Sequence, residues 1–433
     1  MRRICRAPLL EKAHEGSRHG RDSMVPSPAT TGDCATRRPV RFTDRPLPPG
    51  ERVQTLESEA DMLADWCEAL LAHLVAAGYR RAEPPILQPA SVFLDLAGED
   101  IRGRIFLTND ASGTEFCLRP EYTIPVCRAY LASAHAGRTA QFSYLGPVFR
   151  FRGDGSGEFV QAGLESFGRP DREAADAEIL TLALEAASEA GGPQLDVRFG
   201  DAGLFARLLD ALDLPPVWLR RIRRGLAQGR VLGQILSAPV NGAGSDHSGV
   251  LRALENVGKA EALALVEDLL SIAGISSVGG RSAGEIAERF LEQAALKASD
   301  GVSDEKRRVI EEFLAISGDP DRASRSLRAL ATAAGLDLSA ELDAFDARLG
   351  FIAARGIDVS LLDFAAGFAR NLDYYTGFVF EAQDPARADA RPIIGGGRYD
   401  RLLGTLGAKE HIPAVGAAIW CDRLVPAAGG LHP

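Results

Sequence analysis

The chain has 433 residues, 46% of them hydrophobic and 25% charged, and at about 150 residues per domain this suggests two or three domains with a sizeable core. Ten Lys/Arg and five Asp/Glu fall in residues 1–45, so the remainder holds 39 against 54 and carries −15, which excludes nucleic-acid binding through the overall field. No apolar run approaches the ~20 residues that span a bilayer, and six cysteines without CxxC spacing fit reduced thiols in a cytoplasmic protein.

Residues 1–48 lack hydrophobic periodicity and are rich in Arg, Ser, Thr and Pro, so a disordered tail is expected; an Arg-rich transit leader and a start at a downstream methionine such as Met24 are open alternatives. From 57 to 77, Met62, Leu63, Trp66, Leu70, Leu74 and Val75 recur at helical spacing before Gly78, a helix stop. Short extended pieces follow at 85–87, 105–108 and 115–118, the last two joined across 109–113, whose composition favours a hairpin turn. After a helical stretch at 121–133, segments 141–145, 148–152 and 159–167 read as antiparallel strands, with GDGSG between the last two. Ala/Leu-rich amphipathic segments such as 251–272 then fill the region up to Asp358. Strand-like sequence resumes at 361–367, 377–382 and 414–421. The predicted organisation is an α+β domain in two parts, 49–199 and 359–433, interrupted by a helical insertion at 200–358.

In the 159–167 strand, Gln161, Gly163 and Glu165 share a face over roughly 13 Å, and Gly163 leaves a gap between the two polar groups. Arg150 and Arg152 share a face of the preceding strand, about 6 to 7 Å apart. If the two strands pair, guanidinium, amide and carboxylate meet in a set that suits a zwitterion; ordinary cross-strand ion pairs on a solvent-facing strand are the bland alternative. In LRPEYT, Glu121 and Thr123 follow Pro120, where capping of a helix alone explains the acid. RNLDYYTG places Arg370, Asp373, Tyr374 and Tyr375 before a strand. GGGRYD gives a glycine turn followed by Arg398 and Tyr399. Neither glycine-rich piece follows the order of a P-loop or a dinucleotide fingerprint, and the seven histidines form no metal-ligand pattern, so neither cofactor nor metal is expected. The basic run at 218–226 reads as a solvated helix face, with nucleic-acid contact as the weaker alternative.

Together these segments resemble the catalytic core of class II aminoacyl-tRNA synthetases, specifically histidyl-tRNA synthetase: YRRAEPPILQP the first class motif, PVFRFRGDGSGEFVQAGLESFG the second, PAVGAAIWCDRL the third, and RNLDYYTGFVFE with GGGRYDRLLGTLG the histidine-specific signatures. The resemblance spans about 55–425 and implies an antiparallel sheet flanked by helices. It also implies that Glu121, Thr123 and Gln161 hold a histidine amino group, that Arg150 and Arg370 face its carboxylate, and that Glu165, Tyr375 and Tyr399 read its imidazole.

Departures from the synthetase pattern point elsewhere. Arg152 stands where a glutamate helps hold ATP, the GDGSG loop is short, Pro426 closely follows Arg423 of the third motif, and no anticodon-binding domain is expected before Pro433. A synthetase-like core of this kind resembles the regulatory subunits of ATP phosphoribosyltransferase. That resemblance implies no chemistry by this chain itself, a homodimer within a hetero-oligomer that includes the short-form catalytic subunit, histidine as feedback effector, and neither membrane nor tRNA as a partner. A freestanding histidine-adenylating enzyme is the alternative, favoured by the retained Arg150, Arg370 and Arg423.

Overall fold

The computed structural model describes residues 51–96, 103–151, 157–227, 230–237, 301–368, 374–387 and 391–424, with isolated positions between 264 and 296. Helix α1 (Glu51–Ala76) turns Leu70, Leu71 and Leu74 inward and ends where Gly78 takes φ +95°, a left-handed exit that glycine adopts without a Cβ clash. Next come β1 (Arg80–Arg81), β2 (Leu87–Pro89), α2 (Ala90–Leu96), β3 (Leu107–Asn109) and β4 (Glu115–Leu118). Strands β2, β4 and β3 form a small antiparallel sheet. Its predicted β3–β4 turn is fastened by the Asp110 carboxylate, which accepts from the backbone N–H of Ser112 and of Thr114, each at 2.9 Å.

Helix α3 (Thr123–Leu131) leads into β5 (Ala140–Phe149), β6 (Glu158–Phe167), α4 (Arg172–Glu189), β7 (Asp196–Asp201), α5 (Ala202–Ala211), α6 (Pro216–Ala227) and α7 (Leu232–Ser237). The pair β8 (Ser277–Val278) and β9 (Arg281–Ser282) precedes α8 (Asp304–Ala315), β10 (Ser317–Gly318), α9 (Pro320–Ala333) and α10 (Ser339–Ala354). The chain then runs through β11 (Asp363–Ala365), β12 (Phe378–Gln383), β13 (Ile394–Arg398), α11 (Leu402–Thr405) and β14 (Ala414–Trp420). Nine strands make the main sheet in the order β1-β5-β6-β14-β13-β12-β7-β11-β10. Its pairs are antiparallel except β1–β5 and β7–β11, toward the two edges. This is the helix-flanked α+β sheet that the sequence leads one to expect.

The alternation of β6 feeds two cores, one on each face of the sheet. Ala162 and Leu164 point with Val415, Ala417 and Ile419 of β14 and Phe378 and Phe380 of β12 into a cluster that takes in Ile179 and Ala183 of α4, Phe313 of α8, and Phe345 and Leu349 of α10. Phe159 and Phe167 point the other way, into a cluster with Tyr144, Ala414, Trp420, Ile124, Cys127 and Tyr130. Gln161, Gly163 and Glu165 occupy that second face between the two phenylalanines.

Several expectations need correction. Gly395–Gly397 do not form a turn but lie within β13, because a Cβ on Gly396 would stand 2.5 Å from the Gly416 carbonyl oxygen and 2.7 Å from the Phe380 ring, so only glycine lets these strands and that ring close up. Segments 141–145 and 148–152 are not two strands; one ten-residue strand, β5, runs through Pro147. Proline is tolerated there because β1 covers β5 only at Phe142 and Ser143, so no strand needs the Pro147 N–H; beyond β1 the edge meets Arg119, whose Nε donates to the Pro147 carbonyl at 2.9 Å. Strand β7 extends the main sheet to Asp201, within the stretch assigned to helices, and the Asp201 carboxylate then accepts from the N–H of Gly203 and Leu204 to start α5. Most of 251–272, and Arg152 with all of the GDGSG loop but Gly157, lie outside the described residues.

Candidate functional site

Strand β6 supplies the centre of the site. The Glu165 carboxyl crosses β14 at Gly416, where a Cβ would come within 1.6 Å of Oε2; glycine at the register partner of Glu165 is what lets the acid lie flat. The Tyr399 phenol donates to Oε2, the Thr123 hydroxyl also hydrogen-bonds the carboxyl, and Oε1 has no partner. Burial pushes the acid up to about 8, with the Tyr399 and Thr123 hydrogen bonds opposing the rise and the nearby Glu121 charge adding to it. Tyr399, raised far above its ordinary range by burial and then by Glu165, remains a phenol and a donor.

Glu121 is the cap that the plainer sequence reading anticipates: its carboxylate accepts from the N–H of Thr123 at 2.7 Å and of Ile124 at 2.9 Å, starting α3. Burial raises its pKa, against the pull of those hydrogen bonds and of Arg150. Arg150 donates from Nε to the Pro120 carbonyl at 2.7 Å. Gln161 is fully buried, and neither end of its amide has a partner. Tyr375 lies against Gly397, 2.9 Å from where a Cβ would stand, and 5.0 Å from the Tyr374 ring, which meets Tyr399 edge-on at 5.7 Å. Glu121, Thr123, Glu165 and Tyr399 are thus drawn together, with Tyr375 beside them; Gln161 lies four residues along the same face of β6, beyond Gly163. Arg370 lies outside the described residues.

The gap expected over Gly163 is filled. Tyr144, its register partner in β5, lays its phenol where a Gly163 Cβ would stand, 2.3 Å from the hydroxyl, and donates to the Ala417 carbonyl at 3.3 Å. Tyr122 stacks on Tyr144 at 4.4 Å and 7°, and the Arg119 guanidinium covers Tyr122 at 4.0 Å. This column was missed because no single motif shows it; the tyrosine opposite a glycine appears only once β5 and β6 are paired in register.

On the opposite face, Asp176 of α4 accepts from Arg348 Nε and Arg398 Nε, each at 2.9 Å, and Arg398 Nη1 also donates to Asp400 at 2.9 Å. Arg398 and Asp400, the neighbours of Tyr399 in GGGRYD, are therefore anchored while Tyr399 reaches the site. Arg423 donates to the Pro392 carbonyl and lies 4.6 Å over the Trp420 ring. In the basic run on α6, Arg221 donates to the Ile235 carbonyl at 2.9 Å and Arg223 pairs with Asp210 at 2.9 Å. A cleft of about 440 Å³ between Asp213–Pro216 and Lys306 contains none of the site residues. Among the described residues no group of three His, Cys, Asp or Glu side chains is placed to hold a metal, and no helix is long and apolar enough to cross a membrane.

What the site offers is a buried acid and an amide with free hydrogen-bonding capacity, on a floor kept low by glycine. A buried polar group left unmade costs about 1–3 kcal/mol, so a small polar ligand that satisfies Glu165 Oε1 and Gln161 recovers that cost. Sheet and helix order are those of the class II synthetase core, and the histidyl-tRNA synthetase family model matches residues 53–273 and 262–424. Two solved structures share the fold: one from Bacillus halodurans, described as an ATP phosphoribosyltransferase regulatory subunit/histidyl-tRNA synthetase (TM-score 0.62, 22% identity, 91% of this chain and 85% of that one), and the histidyl-tRNA synthetase of Nostoc (0.56, 16%, 85% and 71%). The chain belongs to the family of ATP phosphoribosyltransferase regulatory subunits: it is 41% identical over 369 residues to that of Rhizobium rhizogenes, covering 84% of this chain and 97% of the relative, and 44% identical over 354 residues to that of Mesorhizobium japonicum, covering 79% and 91%.

Proposed function

We propose that the chain works as a non-catalytic regulatory subunit, assembling with the catalytic subunit of ATP phosphoribosyltransferase in the cytoplasm and supporting the first step of histidine biosynthesis. The observation that carries this is the match at about 40% identity over nearly the whole length of curated relatives of that name. Histidine is the effector. Its pocket is formed by Glu121, Thr123, Arg150, Gln161, Glu165, Arg370, Tyr375 and Tyr399. In support, the Gln161 amide and Glu165 Oε1 are buried without partners, and an amino acid with a ring that both donates and accepts supplies what they lack.

The core pairs with a second copy. Exposed apolar residues favour this: Leu87 and Leu107 lie in the outer strands of the small sheet, with Ile86 and Phe106 one residue before each. Feedback then requires only that histidine bind the inhibited assembly more tightly than the active one. Tagged chain co-expressed with a short phosphoribosyltransferase is expected to retain it through purification, with the enzyme's condensation of ATP and phosphoribosyl pyrophosphate depending on the pair. Full activity of the enzyme alone, or histidine-dependent ATP–pyrophosphate exchange by this chain, would overturn the reading.

A further inference from the structure

The ligand-ring role of Glu165, on which this inference rests, raises the question of which protonation state does the recognising. Glu165 is wholly buried in the middle of β6. Among the described residues, the groups facing its carboxyl are neutral or acidic: the hydroxyls of Tyr399 and of Thr123 at the start of α3, Cys127 of α3, Tyr144 of β5 with Tyr375 beyond it, and the second carboxyl of Glu121. Among the described residues no cation contacts it; Arg150 exerts its charge on Glu121. An ionised carboxylate in such a place lacks compensation, consistent with a pKa pushed up to about 8 by burial. Tyr399 already donates to Oε2. The acid's hydrogen is therefore assigned to Oε1, the atom with no partner.

We propose that Glu165 recognises the ligand's imidazole through one shared proton: the neutral acid donates from Oε1 to the unprotonated nitrogen of a neutral ring, with no net gain or loss of protons. The pocket accepts acid and ring carrying one proton between them. With two protons, donor faces donor. With none, a buried carboxylate meets a ring that has only its N–H to give.

This fixes the pH dependence of binding. Affinity is highest between the ordinary imidazole value of about 6.5 and the Glu165 value of about 8. Between pH 7.5 and 5.5 it falls about eightfold, because the free ring takes a second proton into the pair. A carboxylate ionised in the empty site gives the opposite sign, since it waits for imidazolium: affinity rises about ninefold over the same interval.

The test is a calorimetric titration of L-histidine into the full chain in its assembly at pH 5.5, 6.5, 7.5 and 9. The expected result is tightest binding at 6.5 to 7.5 with a fall on both sides. Glu165→Gln, whose amide donates without titrating, is expected to keep the acid-side fall and lose the additional alkaline fall that the wild type shows relative to it. Affinity that rises from pH 7.5 to 5.5 overturns the shared proton while leaving the pocket assignment in place. Absence of histidine binding at every pH overturns the pocket assignment itself. If Glu165→Gln does not fold, Tyr399→Phe, which removes the donor to Oε2, is expected to move the alkaline fall upward, and an unmoved fall counts against the proposal.

Discussion

Replacing Gly416 by alanine isolates the contribution of the Glu165 carboxyl without touching the acid itself. The new Cβ would stand 1.6 Å from Oε2, 2.5 Å from Cδ and 2.8 Å from the Leu164 carbonyl oxygen. Ordinary contact begins near 3.4 Å, so the carboxyl must retreat by about 1.8 Å (3.4 less 1.6). The neighbouring Leu164 carbonyl is strand backbone and cannot move as freely. Overpacking of this kind costs about 1–3 kcal/mol, a fall in Tm of about 1 to 3 °C for a chain of this length. The displaced acid no longer reaches the ring, and a buried ring nitrogen left unpaired costs about 1–3 kcal/mol, or about 5- to 150-fold in the histidine dissociation constant. Gly404→Ala is the control: it lies in α11 with nothing within 4 Å of a Cβ, and a helical glycine replaced by alanine gains about 0.5–1 kcal/mol. Thermal unfolding and calorimetry of the assembly measure both variants. Wild-type histidine affinity in Gly416→Ala, or an equal loss in Gly404→Ala, would refute the reasoning.

Two further outcomes concern stability. Asp176→Asn leaves the buried guanidiniums of Arg348 and Arg398 short of a counter-charge, and breaking such a network costs about 3–5 kcal/mol; urea denaturation at pH 7 that shows a loss below about 1 kcal/mol would contradict the network's role. Glu165 has a folded value of about 8 against an ordinary 4.5, so its neutral form favours the folded state fully below 4.5, and this contribution is lost as pH rises to 8. Glu165→Gln, which does not titrate, is therefore expected to gain stability over the wild type as pH rises from 5 to 8, and a gap that stays constant or narrows would contradict the assignment.

What was legible in the sequence was local and periodic. The alternation of β6 put Gln161 and Glu165 on one face before any partner strand was known, and the helix stop at Gly78 and the turn after Asn109 followed from residue chemistry alone. The glycine triplet of β13 misled because its role is steric and remote: it is set by Phe380 and Gly416 across the sheet, not by its own neighbours. Strand β7 was not assigned although Val197 and Phe199 alternate inward, since six residues running straight into α5 give only a short alternation. Helix α4 gave no clear stripe because the sheet and α10 bury it on several sides, including its lone Asp176. Tyr144 needed the β5–β6 register. The pocket's acids were visible, but their burial, which sets their protonation, belongs to the fold.

The sharpest measurement is a histidine titration of phosphoribosyl transfer by the complete assembly, with the native chain and with Glu165→Ala. The native assembly is expected to be inhibited as histidine rises; the variant, still assembled and active without effector, is expected to need at least about fivefold more histidine, the loss that a buried ring nitrogen left unpaired implies. Identical inhibition curves from the two assemblies would contradict the claim that this pocket is where histidine is sensed.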